Sequence, residues 1–204
     1  MLKVILSSLL LFSLAQANDP SKGRCALSQE GAFNVNFVAY KTPEKKGVGA
    51  SFDEVKYTAI APEGKNFREI LVGSTAVINT KSVNSKNKGR DEKLVKFFFE
   101  QMSGDEITAK IIDYKAIKVK KGQPKKGTLF TEITMNGVTK KVDMAYMLKD
   151  GVLKADGKID IIEFSGNKAL ESINKACFDL HKGKTWSDVS ISFNTKIKAI
   201  CYTK

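Results

Sequence analysis

The side chains able to do acid–base, nucleophilic or metal chemistry in this chain are few and poorly spaced for it. There is one histidine, His181, and three cysteines, Cys25, Cys177 and Cys201. His181 has no second histidine to pair with and no cysteine at zinc-ligand spacing, so neither a metal site nor a proton relay is indicated. Ser/His/Asp, Cys–His and glycine-rich phosphate-binding arrangements are missing. The adjacent carboxylates Asp53-Glu54 and Asp105-Glu106 read as solvated pairs, because catalysis needs convergent groups with tuned pKa values. The chain is therefore expected not to be an enzyme, with no cofactor and no metal. Apolar chemistry is far better represented, above all in Phe97-Phe98-Phe99 followed by Met102. Large aromatics and methionines adapt to flexible apolar ligands, and they also fill solid cores.

The elements that must position these residues are mostly strands. Phe33, Val35 and Phe37 alternate with Asn34, Asn36 and Val38. Val48–Tyr57 and Glu69–Thr80 follow as strands, the latter with Ile70, Val72, Ala76 and Ile78 on one face. Ile107–Val119 places Ile107, Ala109 and Ile111 on one side. Leu129–Met135 and Val142–Leu148 flank Asn136-Gly137, the strongest short-range hairpin signal, since both central residues of a type I′ turn need positive φ. On one face of that hairpin lie Leu129, Thr131, Ile133, Met135, Val142, Met144, Tyr146 and Leu148. Gly157–Phe164 and Val189–Tyr202 complete the set. Two segments have helical spacing: Asp91–Met102, with Leu94, Phe97, Phe98 and Met102 on one side, and Asn167–Leu180, with Leu170, Ile173 and Cys177. About eight strands with two short helices is the pattern of an all-β, antiparallel up-and-down barrel or sandwich.

The N-terminus reads as an export signal. Lys3 is followed by an apolar stretch from Val4 to Leu14, and Ala15-Gln16-Ala17 offers small residues for cleavage. The stretch falls short of the roughly 20 residues that span a bilayer. A signal peptide over 1–17 leaves a single domain over 18–204, expected to be exported and soluble; no cysteine follows the cleavage site to suggest a lipoprotein. In an oxidising compartment one pair of the three cysteines is expected to bridge. Cys25–Cys201 is favoured, because antiparallel pairing of the first and last strands brings them together, and it leaves Cys177 free; Cys177–Cys201 is the competing pairing.

Lys and Arg number 34 against 22 Asp and Glu, a formal charge of +12. The excess is almost entirely lysine, with arginine only at Arg24, Arg68 and Arg90. Nucleic-acid binding favours arginine and a concentrated patch, so it is not expected. A solvated lysine-rich surface is the ordinary reading, and attraction to an anionic membrane surface is the functional one. A homodimer is compatible with the sequence.

Several motifs follow one another in order: Val48-Gly49-Ala50-Ser51-Phe52, Ser82-Val83-Asn84, Gly89-Arg90-Asp91 with Leu94, Phe97-Phe98, and Ile133 through Lys140. In this order and spacing they resemble the YceI-like family of periplasmic, lipocalin-shaped, polyisoprenoid-binding proteins, which implies a periplasmic location. Where family members carry a histidine near the end of the first strand this chain has Tyr40. Their Arg-x-Asp-Phe-Gly stretch is Ile161-Ile162-Glu163-Phe164-Ser165 here, and the segment Asn167–Trp186 follows as an insertion. The resemblance implies a lipocalin-like β-barrel holding an isoprenoid or other long-chain lipid. Candidate wall residues are Phe37, Phe52, Phe97, Phe98, Met102, Ile133, Met144, Tyr146 and Phe164. Trp186 either frames the mouth or plugs one end. Arg90 and Asp91 open a helix, where Asp91 suits the helix dipole, and a structural role for them is favoured over contact with a lipid headgroup.

Overall fold

Two long strands carry the architecture, and their pairing decides the cysteine question. The computed structural model describes residues 24–202; the expected signal peptide over 1–17 lies outside them. Strand β1 (Arg24–Lys41) runs antiparallel to the last strand, Thr185–Tyr202, in a register from Arg24 opposite Tyr202 to Lys41 opposite Thr185. That register sets Cys25 against Cys201, and the two form a disulfide. Cys177 is free and buried. The ladder is interrupted between Glu30 and Asn34, where Gly31 adopts φ 70°.

Between these strands lie β2 (Lys46–Phe52), β3 (Val55–Thr58), α1 (Phe67–Leu71), β4 (Thr75–Asn79) and β5 (Val83–Asn84). Helix α2 (Lys88–Phe97) leads to β6 (Glu106–Ile117), β7 (Lys125–Met135), β8 (Val138–Lys149) and β9 (Val152–Asp160). Helices α3 (Asn167–Ala176) and α4 (Phe178–His181) precede the last strand, β10. All ten strands join one antiparallel sheet in the order β3-β4-β6-β7-β8-β9-β10-β1-β2-β5. The sheet curls so that its two ends meet at a corner. There Asp53 N–H donates to the Ser82 carbonyl at 3.0 Å and Asn79 N–H donates to the Glu54 carbonyl at 3.1 Å. The result is the lipocalin-like barrel shape expected from the pattern of strands.

Five of the expected elements differ in detail. Val48–Tyr57 is broken by the Asp53–Glu54 corner into β2 and β3, which is one reason that ten strands replace about eight. The first part of Glu69–Thr80 is helix α1 instead of strand. Asn66 caps it by accepting from Glu69 N–H, while the Glu69 carboxylate accepts from Lys65 N–H at 2.8 Å, a reciprocal cap that favours helix. Phe67, Ile70 and Leu71 then fall on one buried helical face, and Gly73 at φ 100° turns the chain into β4. Gly157–Phe164 is the end of β9 followed by a 3-10 turn over Ile161–Phe164, begun by Asp160 accepting from Ile162 N–H. Each expected helix also divides: α2 ends at Phe97 before a 3-10 turn at Phe99–Gln101, and α3 stops at Ala176 before α4.

The β7–β8 hairpin forms as the alternation requires. Asn136 and Gly137 have φ 52° and 74°, and Leu129, Thr131, Ile133, Met135, Val142, Met144 and Tyr146 are all buried. Its base is pinched at Gly127, where a Cβ would sit 2.0 Å from the Lys115 carbonyl oxygen and 2.7 Å from the Tyr146 ring. Only glycine fits there.

Along β7 the molecule changes from solid to hollow. Near Leu129 the interior is filled by α1, with Phe67 edge-on to Tyr146 at 5.9 Å and Ile70, Leu71, Leu129 and Leu153 fully buried. Each such side chain contributes roughly 1.5–3 kcal/mol by leaving water. Near Met135, at the other end of the strand, the barrel is covered by α2 and α3 and the packing opens.

Candidate functional site

At the α2–α3 end the barrel encloses a cavity of about 490 Å³. Its walls come from β1 and β2 (Phe37, Val48, Ala50, Phe52), from α2 and the turn after it (Leu94, Phe98, Phe99), and from the insertion (Leu170, Ile173, Cys177). The apolar face foreseen for Asn167–Leu180 therefore points inward as a lid. A second, deeper chamber of about 100 Å³ continues toward the barrel centre, lined by residues including Tyr57, Thr131, Ile133, Met144 and Phe193. Phe52, Ile107, Met135, Ile159 and Ile191 border both chambers. At the deeper chamber Phe33 stacks between Tyr57 and Phe193, at 4.4 and 4.5 Å. Burial pushes the Tyr57 phenol above its usual range, so Tyr57 stays neutral. The Thr131 hydroxyl is buried there with no hydrogen bond among the described residues.

The polar groups collect at the mouth. Leu180 lines the outer chamber and is also 61% exposed, which marks where the cavity reaches the surface. Lys41, Arg90, Lys93 and His181 line the same chamber. Trp186 stands among them as a frame: its indole N–H donates to the Thr42 carbonyl at 2.8 Å, and Lys184 and Lys45 lie over its ring at 4.7 and 4.8 Å. Thr185 gives its hydroxyl proton to Asn174 Oδ1 at 2.9 Å, so it accepts from His181 Nδ1–H at 2.8 Å. Burial, then the positive Lys41 and Lys93, hold His181 below its usual pKa and keep the imidazole neutral.

Arg90 and Asp91 converge on one residue. Arg90 Nε donates to Ser85 Oγ at 2.8 Å and Nη2 to the Ser85 carbonyl at 3.0 Å, while the Asp91 carboxylate accepts from Ser85 N–H at 2.8 Å and from its hydroxyl. The pair fixes the start of α2 against β5, the structural role favoured from the sequence, and Arg90 also edges the cavity. The helix cap itself is Asn87, which accepts from Arg90 N–H at 3.0 Å.

Of the ten wall residues expected from the resemblance, Phe37, Phe52, Phe98 and Trp186 border the outer chamber. Ile133 and Met144 border the inner one. Four others stand elsewhere. Phe97 is half-buried on α2 beneath Lys96, and Met102 packs against the main core beside the 3-10 turn. Tyr146 belongs to the solid end against Phe67, and Phe164 is fully buried in the core. Helical spacing grouped Phe97 with Phe98, but α2 ends at Phe97, so the two rings diverge. For the lid residues Leu170, Ile173 and Cys177 the helical periodicity predicts a shared face, and the structure turns that face toward the cavity.

A curled antiparallel sheet solid at one end, with an apolar chamber behind a helical lid at the other, defines a lipocalin-shaped barrel. The chain belongs to the YceI-like family: the YceI-like domain profile matches residues 29–197. Solved structures with the same fold include a polyisoprenoid-binding domain from Saccharophagus degradans, at 15% identity and TM-score 0.57, covering 86% of this chain and 98% of that one. Burkholderia cenocepacia BcnA aligns at 14% identity and TM-score 0.53, over 81% of this chain and 96% of its own. A Campylobacter jejuni YCEI protein aligns at 20% identity and TM-score 0.50, over 78% and 87%. No curated protein sequence matches significantly.

Proposed function

We propose that this chain binds an isoprenoid or related long-chain amphiphilic lipid, without catalysing a reaction on it, in the periplasm. The observation that carries this reading is the apolar outer chamber of about 490 Å³ with a deeper chamber beyond it. A barrel used only as a solid scaffold has no need of such a void, since interiors otherwise pack as densely as organic crystals. The tail lies along Phe37, Phe52 and Ile107 toward Met144, and the polar end remains at the mouth near Lys41, Arg90 and Lys93. YceI-like membership and the likeness to a polyisoprenoid-binding domain support the ligand class. The Cys25–Cys201 disulfide supports an oxidising compartment. No helix among the described residues is long and apolar enough to cross a membrane.

The test is mass spectrometry of organic extracts from protein purified out of its native periplasm, joined to displacement of an apolar fluorescent probe by polyprenyl lipids. A co-purifying long-chain lipid that competes with the probe is expected. Protein that carries no lipid and whose probe is not displaced would refute the reading.

A further inference from the structure

The lid exposes apolar side chains beside the mouth of the cavity. Helix α4 leaves Phe178 58% exposed and Leu180 61% exposed, two residues apart, and Leu180 is itself a cavity wall. The Phe178 ring rests on Gly183, where a Cβ would come within 3.1 Å of it, so the exposed ring is held in place by the turn behind it. Lys41 and Lys93 line the cavity, Lys45 and Lys184 lie over Trp186, and Lys182 follows α4; the acidic groups among them are Glu44, Asp188 and Asp179 of α4. The Lys182–Glu44 pair at 3.1 Å is exposed on both sides and the Lys45–Asp188 pair is partly exposed; pairs of this kind contribute little and exchange readily with other partners. Trp186, an aromatic suited to a membrane interface, stands in the same rim.

From this juxtaposition we infer that the α4 rim docks on an anionic phospholipid bilayer, with Phe178 and Leu180 dipping into the acyl boundary and the rim lysines meeting the headgroups. The inference rests on the lipid-binding reading and deepens it. A mouth pressed against the bilayer lets a tail pass between membrane and barrel without crossing water. Charge complementarity selects the occupant: a basic rim around a small apolar pair fits an anionic lipid surface, whereas a stable protein interface generally buries on the order of 800 Å² per partner. Two inserted side chains give shallow, reversible attachment, as carriers require.

The experiment uses the mature protein with vesicles of phosphatidylcholine alone or mixed with phosphatidylglycerol, read by co-sedimentation and by Trp186 emission. Binding to the mixed vesicles with a blue shift, weakening as salt rises, is expected, with little binding to phosphatidylcholine alone. Phe178→Ser and Lys182→Gln should each lower partitioning about fivefold, given about 1 kcal/mol per basic residue at an anionic surface and a similar contribution from a partly inserted ring. Both variants should still take up an apolar fluorescent probe in vesicle-free solution. No binding to mixed vesicles, equal binding to both vesicle types, or indifference to both substitutions would overturn the docking inference. So would self-association abolished by Phe178→Ser without vesicle binding, which assigns the patch to a second copy. Normal probe uptake without vesicle binding refutes docking alone, whereas loss of probe uptake in the unaltered protein refutes the lipid-binding reading as well.

Discussion

Replacing Cys25 and Cys201 by serine should cost this protein a large share of its stability, for reasons located in the unfolded chain. The disulfide joins residues separated by 176 positions. The chain-entropy relation for closing a loop of that length gives about 5 kcal/mol at 25 °C. Both cysteines are exposed, so serine creates no core cavity, and the β1–β10 ladder retains its pairing from Ala26 onward. The loss therefore measures confinement of the unfolded ensemble almost alone. Against a typical stability of roughly 5–15 kcal/mol it should be conspicuous in urea denaturation, as a lower midpoint with a steeper transition, because the released chain expands further. Parent and variant should both carry Cys177→Ala to prevent exchange. A loss below about 1 kcal/mol would refute the reasoning, since it would mean that the unfolded termini stay close without the bond.

Three further outcomes are expected. Ala50→Trp, which projects an indole into the outer chamber, should weaken displacement of the probe by lipid about tenfold while thermal unfolding moves little, because it fills a void and not a packed core. Phe164→Ala should do the reverse, costing roughly 3–5 kcal/mol in denaturant titration with lipid binding retained, since Phe164 is fully buried outside the cavity wall. His181, whose pKa lies below 6.5 in the folded protein, disfavours its charged form there. As pH falls through 6.5 the unfolded chain binds the proton first, so stability should decline toward the lower folded pKa; His181→Gln should flatten that slope in melts across pH 7 to 5.

The sequence made the sheet legible where alternation was strict, as in the β7–β8 hairpin, whose inward face was assigned residue by residue. Legibility failed at corners. Asp53-Glu54 interrupts an otherwise continuous run, and the break comes from long-range hydrogen bonds to Ser82 and Asn79 that no local pattern announces. Helix α1 was legible in principle, because Asn66 followed three positions later by Glu69 is a capping signal; the apolar alternation after it concealed the cue. For the cavity, burial and lining differ by a fraction of a turn. Phe98 faces the chamber and Phe97 does not, and Phe164 and Tyr146 are as apolar as any wall residue yet pack solid. The rim was hardest to foresee, since Lys41, Lys93 and His181 meet only when β1, α2 and α4 come together.

The corner where the sheet's two ends meet bears on how this protein behaves in company. Its outermost strands are β3, four residues long, and β5, only two. The longest strands, β1 and β10, lie inside the sheet, but β1 pairs with β2 only from Asn36 to Lys41, and before that its second flank is met by the isolated bridge Leu27–Gly64. A second chain seeking to extend the sheet by strand addition finds little ladder at β3 or β5, and the flank of β1 before Asn36 is where it could start. Protection against unwanted company is thus uneven: the outermost strands are too short to recruit a partner, and the burden of keeping other chains away falls on one flank of the longest strand.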